Sequence, residues 1–238
     1  MITLNSVPYD PVAKEYYDAA AHPTCASFRA ASFEILSKYL RHNSLEGVNV
    51  CDLGGGKSLL AEFFQNSDAR PRKLEVVDQC SEMLRHSSVF SADWVRLTNA
   101  AACDLDKLGR TYDVITAFLA DPFNEMESWL AAKAALSHTG RLFFVTPSWQ
   151  WASTFRSANC DERETCARFV LKSGDEVFVP SIVHRETEQQ DMFSSIGFDL
   201  IQKYYVPKKE LGAVAPKLGS LADDAPVLVG YSLRRRAA

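Results

Sequence analysis

The stretch Val50-Cys51-Asp52-Leu53-Gly54-Gly55-Gly56-Lys57-Ser58 sets a carboxylate, three glycines, a lysine and a hydroxyl directly after an apolar run. Glycines at such a point permit a tight turn and let a ligand approach the backbone N–H groups that open a helix. Three ligand chemistries compete for a loop of this kind. Gly56-Lys57-Ser58 imitates the end of a triphosphate loop, but that loop needs a glycine five positions before Gly56, where Cys51 stands. Asp52 would also turn a carboxylate towards the phosphates, and the triphosphate reading is discarded. A dinucleotide fingerprint beginning at Gly54 needs a glycine at position 59 and meets Leu59. The third ligand is a nucleoside carrying an amino acid: Asp52 can accept from an ammonium or water, and an acidic residue beside the glycines suits a cation better than a polyphosphate.

The elements that must hold these residues follow from periodicity. Apolar positions predict helices over Asp10–Ala21 and Ala26–Arg41, separated by His22-Pro23-Thr24 because a proline disfavours helix just before it. Val48–Leu53 is a buried-strand run, followed by a helix carrying Leu59, Leu60, Phe63 and Phe64. Strands over Leu74–Val77, Trp94–Thr98, Val114–Leu119 and Arg141–Thr146 then alternate with helices over Ser81–His86 and Met126–Leu136. A helix over Glu188–Ser195 and strands over Leu200–Val206 and Val227–Leu233 close the chain. This alternation predicts an α/β fold with a doubly wound, mainly parallel sheet. Pro147–His184 is an insertion in which Arg168–Leu171 and Glu176–Val179 flank a glycine-containing turn, the pattern of a β-hairpin. One domain spanning residues 1–238, with an N-terminal helical cap over 1–45 and a lid over 147–184, is the expected organisation.

Asp78 ends the second strand 24 residues after Gly54, where a carboxylate can take both ribose hydroxyls of an adenosine. Asp52-Leu53-Gly54-Gly55-Gly56 followed by Val77-Asp78-Gln79-Cys80-Ser81-Glu82-Met83-Leu84 resembles the class I S-adenosylmethionine-dependent methyltransferases, whose second motif commonly reads D-x-S-x-x-M-L. Tyr9-Asp10-Pro11-Val12-Ala13-Lys14-Glu15-Tyr16 is similar to the Y-D-x-x-A-x-x-Y opening of the small-molecule subgroup. Tyr112-Asp113-Val114-Ile115, Leu136 to Leu142 with Thr139 in place of a glycine, and Thr187 to Phe198 resemble later motifs, so the likeness covers nearly the whole chain. Ser58 stands where many members have a third glycine of the loop, and Cys80 replaces the usual serine.

The resemblance implies a seven-stranded Rossmann-like sheet with an antiparallel final strand, and S-adenosylmethionine as cofactor. It assigns Asp52, Gly54, Gly55 and Gly56 to the cofactor loop, Asp78 with Gln79 and Met83 to the adenosine, and Asp104 with Leu105 to the adenine, with Asp106 as a near alternative to Asp104. Ala117 and Phe118 would line the sulfonium, while Tyr16 and Arg29 would close over the methionine carboxylate. It implies transfer of a methyl group to an oxygen or nitrogen of a small-molecule acceptor, a reaction that needs alignment and water exclusion more than covalent catalysis. His22, His138 and His184 are candidate bases for a hydroxyl acceptor, with His138 assigned to structure; no catalytic residue is fixed. Asp121-Pro122-Phe123 partly matches the D-P-P-[YF] signature of base methyltransferases but is expected to be a turn. A methyltransferase-like scaffold without activity and a nicotinamide-linked dehydrogenase are the other readings kept open.

Composition bounds the partners. With 26 Lys+Arg against 30 Asp+Glu over 238 residues, net charge is −4, a poor match for a nucleic-acid partner. The run Arg234-Arg235-Arg236 is expected to be a solvated tail. Six cysteines without a C-x-x-C pair argue for reduced thiols, against a metal site or disulfide framework. No window approaches the roughly 18 uninterrupted apolar residues of a membrane span, and the Met1 segment lacks a leader pattern, so a cytoplasmic protein is expected.

Overall fold

The computed structural model describes residues 7–159 and 166–236. The apolar runs become the strands of one sheet: β1 (Asn49–Leu53), β2 (Lys73–Asp78), β3 (Val95–Asn99), β4 (Tyr112–Phe118), β5 (Leu136–Pro147), β8 (Phe198–Pro207) and β9 (Pro226–Arg235). A separate hairpin is formed by β6 (Cys166–Val170) and β7 (Glu176–Pro180). The large sheet has the order β3-β2-β1-β4-β5-β9-β8. Its first five strands pair in parallel, and β9 runs antiparallel to both β5 and β8. The expected doubly wound seven-stranded sheet with an antiparallel final strand is thus the observed one. Strand order reverses between β1 and β4, and in open sheets of this kind a ligand crevice opens beyond the carboxyl ends of the strands at that point.

Successive residues on the central strands face opposite layers. Val114 and Phe143 join α1 (Pro23–Leu40) and α2 (Leu59–Phe64) in one core, while Ile115 and Phe144 join α4 (Met126–Ala135) and α6 (Glu186–Ser195) in the other. Tyr39 stacks on Phe143 at 4.0 Å in the first core; Trp129 meets Phe144 and Phe193 edge-on in the second. The short helix α3 (Ser81–Arg85) follows β2.

Four local expectations need correction. The segment Asp10–Ala21 is a chain of turns rather than a helix: its backbone bonds mix three- and four-residue spans, such as Val12 N–H to Tyr9 O and His22 N–H to Asp18 O. Tyr9, Tyr16 and Tyr17 pack there with Ala13 against Cys80 and Met83, and this tertiary contact outweighs local periodicity. The following helix begins at Pro23 instead of Ala26, because a proline at the first helical position gives up no hydrogen bond. The insertion contains, before its hairpin, the helix α5 (Trp149–Asn159). Finally, the arginine triplet is no loose tail. Arg234 pairs with Arg141 and Asp199 in the ladder, Arg235 donates to the carbonyls of Lys133 and Leu136 at the end of α4, and Arg236 pairs with Asp199. Guanidinium donors satisfy helix-end carbonyls that otherwise lack partners. Among the described residues no helix is long and apolar enough to cross a membrane.

Candidate active site

Beyond Leu53 the chain turns through Gly54 and Gly56, whose φ values of +66° and +44° lie in the left-handed region. A Cβ on Gly54 would overlap the Phe123 ring, and one on Gly55 would sit 2.6 Å from the Val76 side chain. The loop is held from three sides. The Lys57 N–H donates to the Tyr17 hydroxyl at 2.7 Å, and the Gly56 N–H donates to Asp78 Oδ2 at 2.9 Å. The Ser58 hydroxyl donates to Asp52 Oδ2 at 2.6 Å while accepting from Ala61 N–H as the cap of α2. Thr116 of β4 donates to Asp52 Oδ1 at 2.9 Å, so Asp52 binds the loop to the neighbouring strand.

Asp78 accepts a second bond from Cys80 N–H at 2.8 Å. Burial pushes both Asp52 and Asp78 up to about 6, against the lowering effect of these donors, and the Asp52 charge adds to the rise at Asp78. Asp52 therefore holds its proton to a higher pH when folded than the 3.8 of the free side chain. The stability it contributes is full below about pH 4 and is lost as pH rises through about 6. Two units correspond to about 3 kcal/mol. Between pH 4 and 7 the ligand-free protein should lose that much stability relative to Asp52→Asn in denaturant titrations; parallel pH profiles for the two proteins would refute it.

A cavity of about 260 Å³ lies at the carboxyl ends of β1, β2 and β4. Gly54, Asp78, Gln79, Met83 and Phe118 line it, as does Tyr16 from the N-terminal segment. Other expected residues lie elsewhere. Asp52 and Gly55 border a smaller space of about 40 Å³ together with Arg29 and Lys57. Arg29 is already engaged, donating to Lys57 O at 2.9 Å and pairing with Glu62 at 2.6 Å. Leu105 and Ala117 are buried in the core, outside the cavity wall. Asp104 pairs with Lys107 on the exposed side of its turn, and the cavity is lined instead by Ala100, Ala101, Ala102 and Cys103. Phe118, at the end of β4, sits at the wall.

A second cavity of about 370 Å³ adjoins the first and shares Tyr9, Tyr16 and Leu119 with it. Phe28, Trp151, Phe155 and Phe169 contribute aromatic rings to its walls. His22, Asp121, Arg168, Ser181 and Lys217 add polar groups. The hairpin closes one side: Phe169 meets Tyr9, Tyr16 and His22, and its turn is tied to the N-terminal segment by Lys172, which pairs with Asp18 and donates its N–H to Glu15 at 3.1 Å. Phe178, expected in the lid, is exposed. His184 faces Asn124 O at 3.3 Å and His138 is exposed within β5, so of the three candidate histidines only His22 borders this cavity.

Several residues at the junction carried no assigned role in the sequence. Tyr17 had no signal beyond its place beside Tyr16. Tyr9 lay in a quoted motif without a contact to give it a task. Leu119 has φ +53°, the one non-glycine among the described residues in the left-handed region. Such strain persists only where the surroundings fix it, and it clusters at functional sites. The expected turn at Asp121–Phe123 is a single 3-10 turn. It sends Phe123 to the first cavity and Asp121, bonded to the Ser181 hydroxyl, to the second. Among the described residues no cluster of His, Cys, Asp and Glu is arranged to hold a metal. The described cysteines are unpaired with one another: Cys51 and Cys80 are buried, whereas Cys103 is exposed.

No protein-family model matches the sequence, and no curated protein matches it. Solved structures match along nearly the full length. DhpI in its SAH complex is 18% identical, with a TM-score of 0.65, over 97% of this chain and 94% of that one. A S-adenosylmethionine-dependent methyltransferase from Clostridium acetobutylicum ATCC 824 is 14% identical, TM-score 0.64, over 96% and 99%. Magnesium protoporphyrin IX methyltransferase (ChlM) from Synechocystis PCC 6803 with bound SAH is 12% identical, TM-score 0.62, over 95% and 96%. At these identities the likeness is one of fold, and the fold of this chain is the Rossmann-like fold of S-adenosylmethionine-dependent methyltransferases.

Proposed function

We propose that the chain transfers a methyl group from S-adenosylmethionine to an oxygen or nitrogen of a small-molecule acceptor. The observation that carries this reading is the pair of adjoining cavities, one lined by Asp78 and Gly54, the other carrying several aromatic rings, meeting at Tyr9, Tyr16 and Leu119. The residues present fit the donor. Each Asp78 oxygen accepts one backbone bond and retains capacity to accept a ribose hydroxyl. Buried Asp52 and partly buried Asp78, both held up near 6, favour a cationic ligand, whose charge would offset theirs. Asp52 and Lys57 border a space beside the glycine turn and offer both signs of charge to the amino-acid end, Arg29 being held there by Glu62 and the Lys57 carbonyl. With Asp104 turned to Lys107, the adenine falls to Met83 and the wall from Ala100 to Cys103.

When bound, the donor supplies an electrophilic methyl carbon with its own leaving group. The work left to the chain is alignment and exclusion of water. Tyr9 and Tyr16, both partly buried at the junction and with hydroxyls held above their ordinary ionisation range by desolvation, separate the two cavities as neutral groups. The Phe169 hairpin shuts the acceptor side. DhpI has been solved with SAM and HEP together, and ChlM is named for a porphyrin acceptor, both of which support a small molecule as acceptor here. Methyl-labelled S-adenosylmethionine incubated with the protein and a small-molecule extract should yield a labelled low-mass product, with SAH removed enzymatically as it forms. A product absent from wild type, or equally abundant with Asp78→Ala, contradicts the proposal.

A further inference from the structure

We propose that His22, oriented by Glu15, is the proton acceptor for a phenolic hydroxyl bound among the aromatic rings of the second cavity; this rests on the reading of that cavity as the acceptor site. His22 is 7% exposed and its Nε2 lies 3.0 Å from Glu15 Oε1. A carboxylate at that nitrogen fixes the ring with Nε2 protonated and leaves Nδ1 as the basic atom. Among the described residues Nδ1 has no hydrogen-bond partner. The ring stands edge-on to Phe169 with centroids 5.4 Å apart, and Phe169 in turn contacts Tyr9 and Tyr16 at the junction of the two cavities. Glu15 also accepts the Lys172 N–H from the hairpin turn, so the same carboxylate that orients the base holds the lid in place.

The walls select the acceptor class. Trp151 and Phe155 stack in parallel at 5.4 Å with Phe28 edge-on to Trp151, a surface suited to a planar ring. A base is needed only if the nucleophile carries a proton that it must lose, as a phenol does. In the transfer the hydroxyl proton passes to Nδ1, the oxygen forms its bond to the methyl carbon, and the electron pair of the breaking carbon–sulfur bond stays on sulfur. The positive charge lost at sulfur reappears on the imidazolium, beside the Glu15 carboxylate. The other charged or titratable groups facing this space are Tyr9, Tyr16, Cys25, Asp121, Cys166, Arg168 and Lys217.

4-Nitrophenol, whose phenolate is read directly by visible absorbance, tests the proposal without knowledge of the natural acceptor. Bound to the SAH-loaded protein near neutral pH, it should show a phenolate-to-phenol ratio about tenfold above that with His22→Gln, one unit in apparent pKa. Glu15→Gln keeps an acceptor for both His22 and Lys172 but removes the charge, and should lower the ratio several-fold. Calorimetry with SAH serves as the control for folding and, separately, for the donor site. If SAH fails to bind, the donor reading falls, while the probe titration on SAH-free protein still decides the role of His22. Failure of wild type to take up the probe, ratios within twofold for wild type and His22→Gln, or loss of the phenolate with Asp121→Asn but not with His22→Gln would each overturn it.

Discussion

Replacing Asp78 with alanine should weaken SAH binding by at least a hundredfold while leaving the protein folded. Two hydroxyl donors to a charged carboxylate contribute about 1.5–3 kcal/mol each, and every 1.4 kcal/mol is tenfold in affinity. The site amplifies the effect, because Asp78 also accepts from Gly56 N–H and so shapes the turn that the ligand must cross. Asp78→Asn separates the two contributions: it retains an acceptor and should lose less than Asp78→Ala. Calorimetric titration with SAH decides it. Affinity within twofold of wild type for Asp78→Ala would remove this residue from the ligand site.

Trp129→Ala should produce the largest loss of stability, about 3–5 kcal/mol. The indole is fully buried between Phe123, Phe144 and Phe193, and its N–H donates to Asn124 Oδ1 at 3.0 Å. Asn124 bonds Gln189 of α6 and the carbonyl of Ile182, so the deletion also loosens the buried amide network beneath the Asp121–Phe123 turn. For a chain of this size each kcal/mol shifts Tm by about 2–4 °C, which predicts a fall on the order of 10 °C. Trp129→Phe, which keeps a ring but loses the donor, should fall between. A Tm within about 3 °C of wild type for the alanine variant would show that this core does not support the site.

The sheet was legible because each central strand is a short apolar run between polar turns, and the chain order of strands and helices leaves few ways to wind it. The glycine turn and Asp78 were legible for a related reason: backbone conformation at Gly54 and Gly56 restricts residue type, and strand ends fix where a carboxylate points. What sequence could not give was the path of chain held by tertiary contact. Asp10–Ala21 has helical periodicity but spends its tyrosines on the glycine loop and on Cys80 and Met83. Asp104 occupies a motif position, yet its exposed turn lets Lys107, three residues on, claim the carboxylate. Arg29 was matched to a ligand carboxylate, and Glu62 of α2 provides one within the chain. The bond from the Lys172 N–H to Glu15 joins residues too far apart in sequence for any periodic pattern to reveal.

The most direct measurement is calorimetry on the wild-type protein with SAH, set against the nicotinamide dinucleotides. A loop with Asp52 before the glycines and Leu59 at the place of the third fingerprint glycine should hold the adenosyl amino acid and reject a pyrophosphate. SAH should bind saturably and one-to-one, the cationic S-adenosylmethionine should bind more tightly at pH 7 than at pH 5 as the two aspartates protonate near 6, and NAD and NADP should give no heat. Absence of SAH binding by the folded protein, or preferential binding of a dinucleotide, would contradict the donor reading.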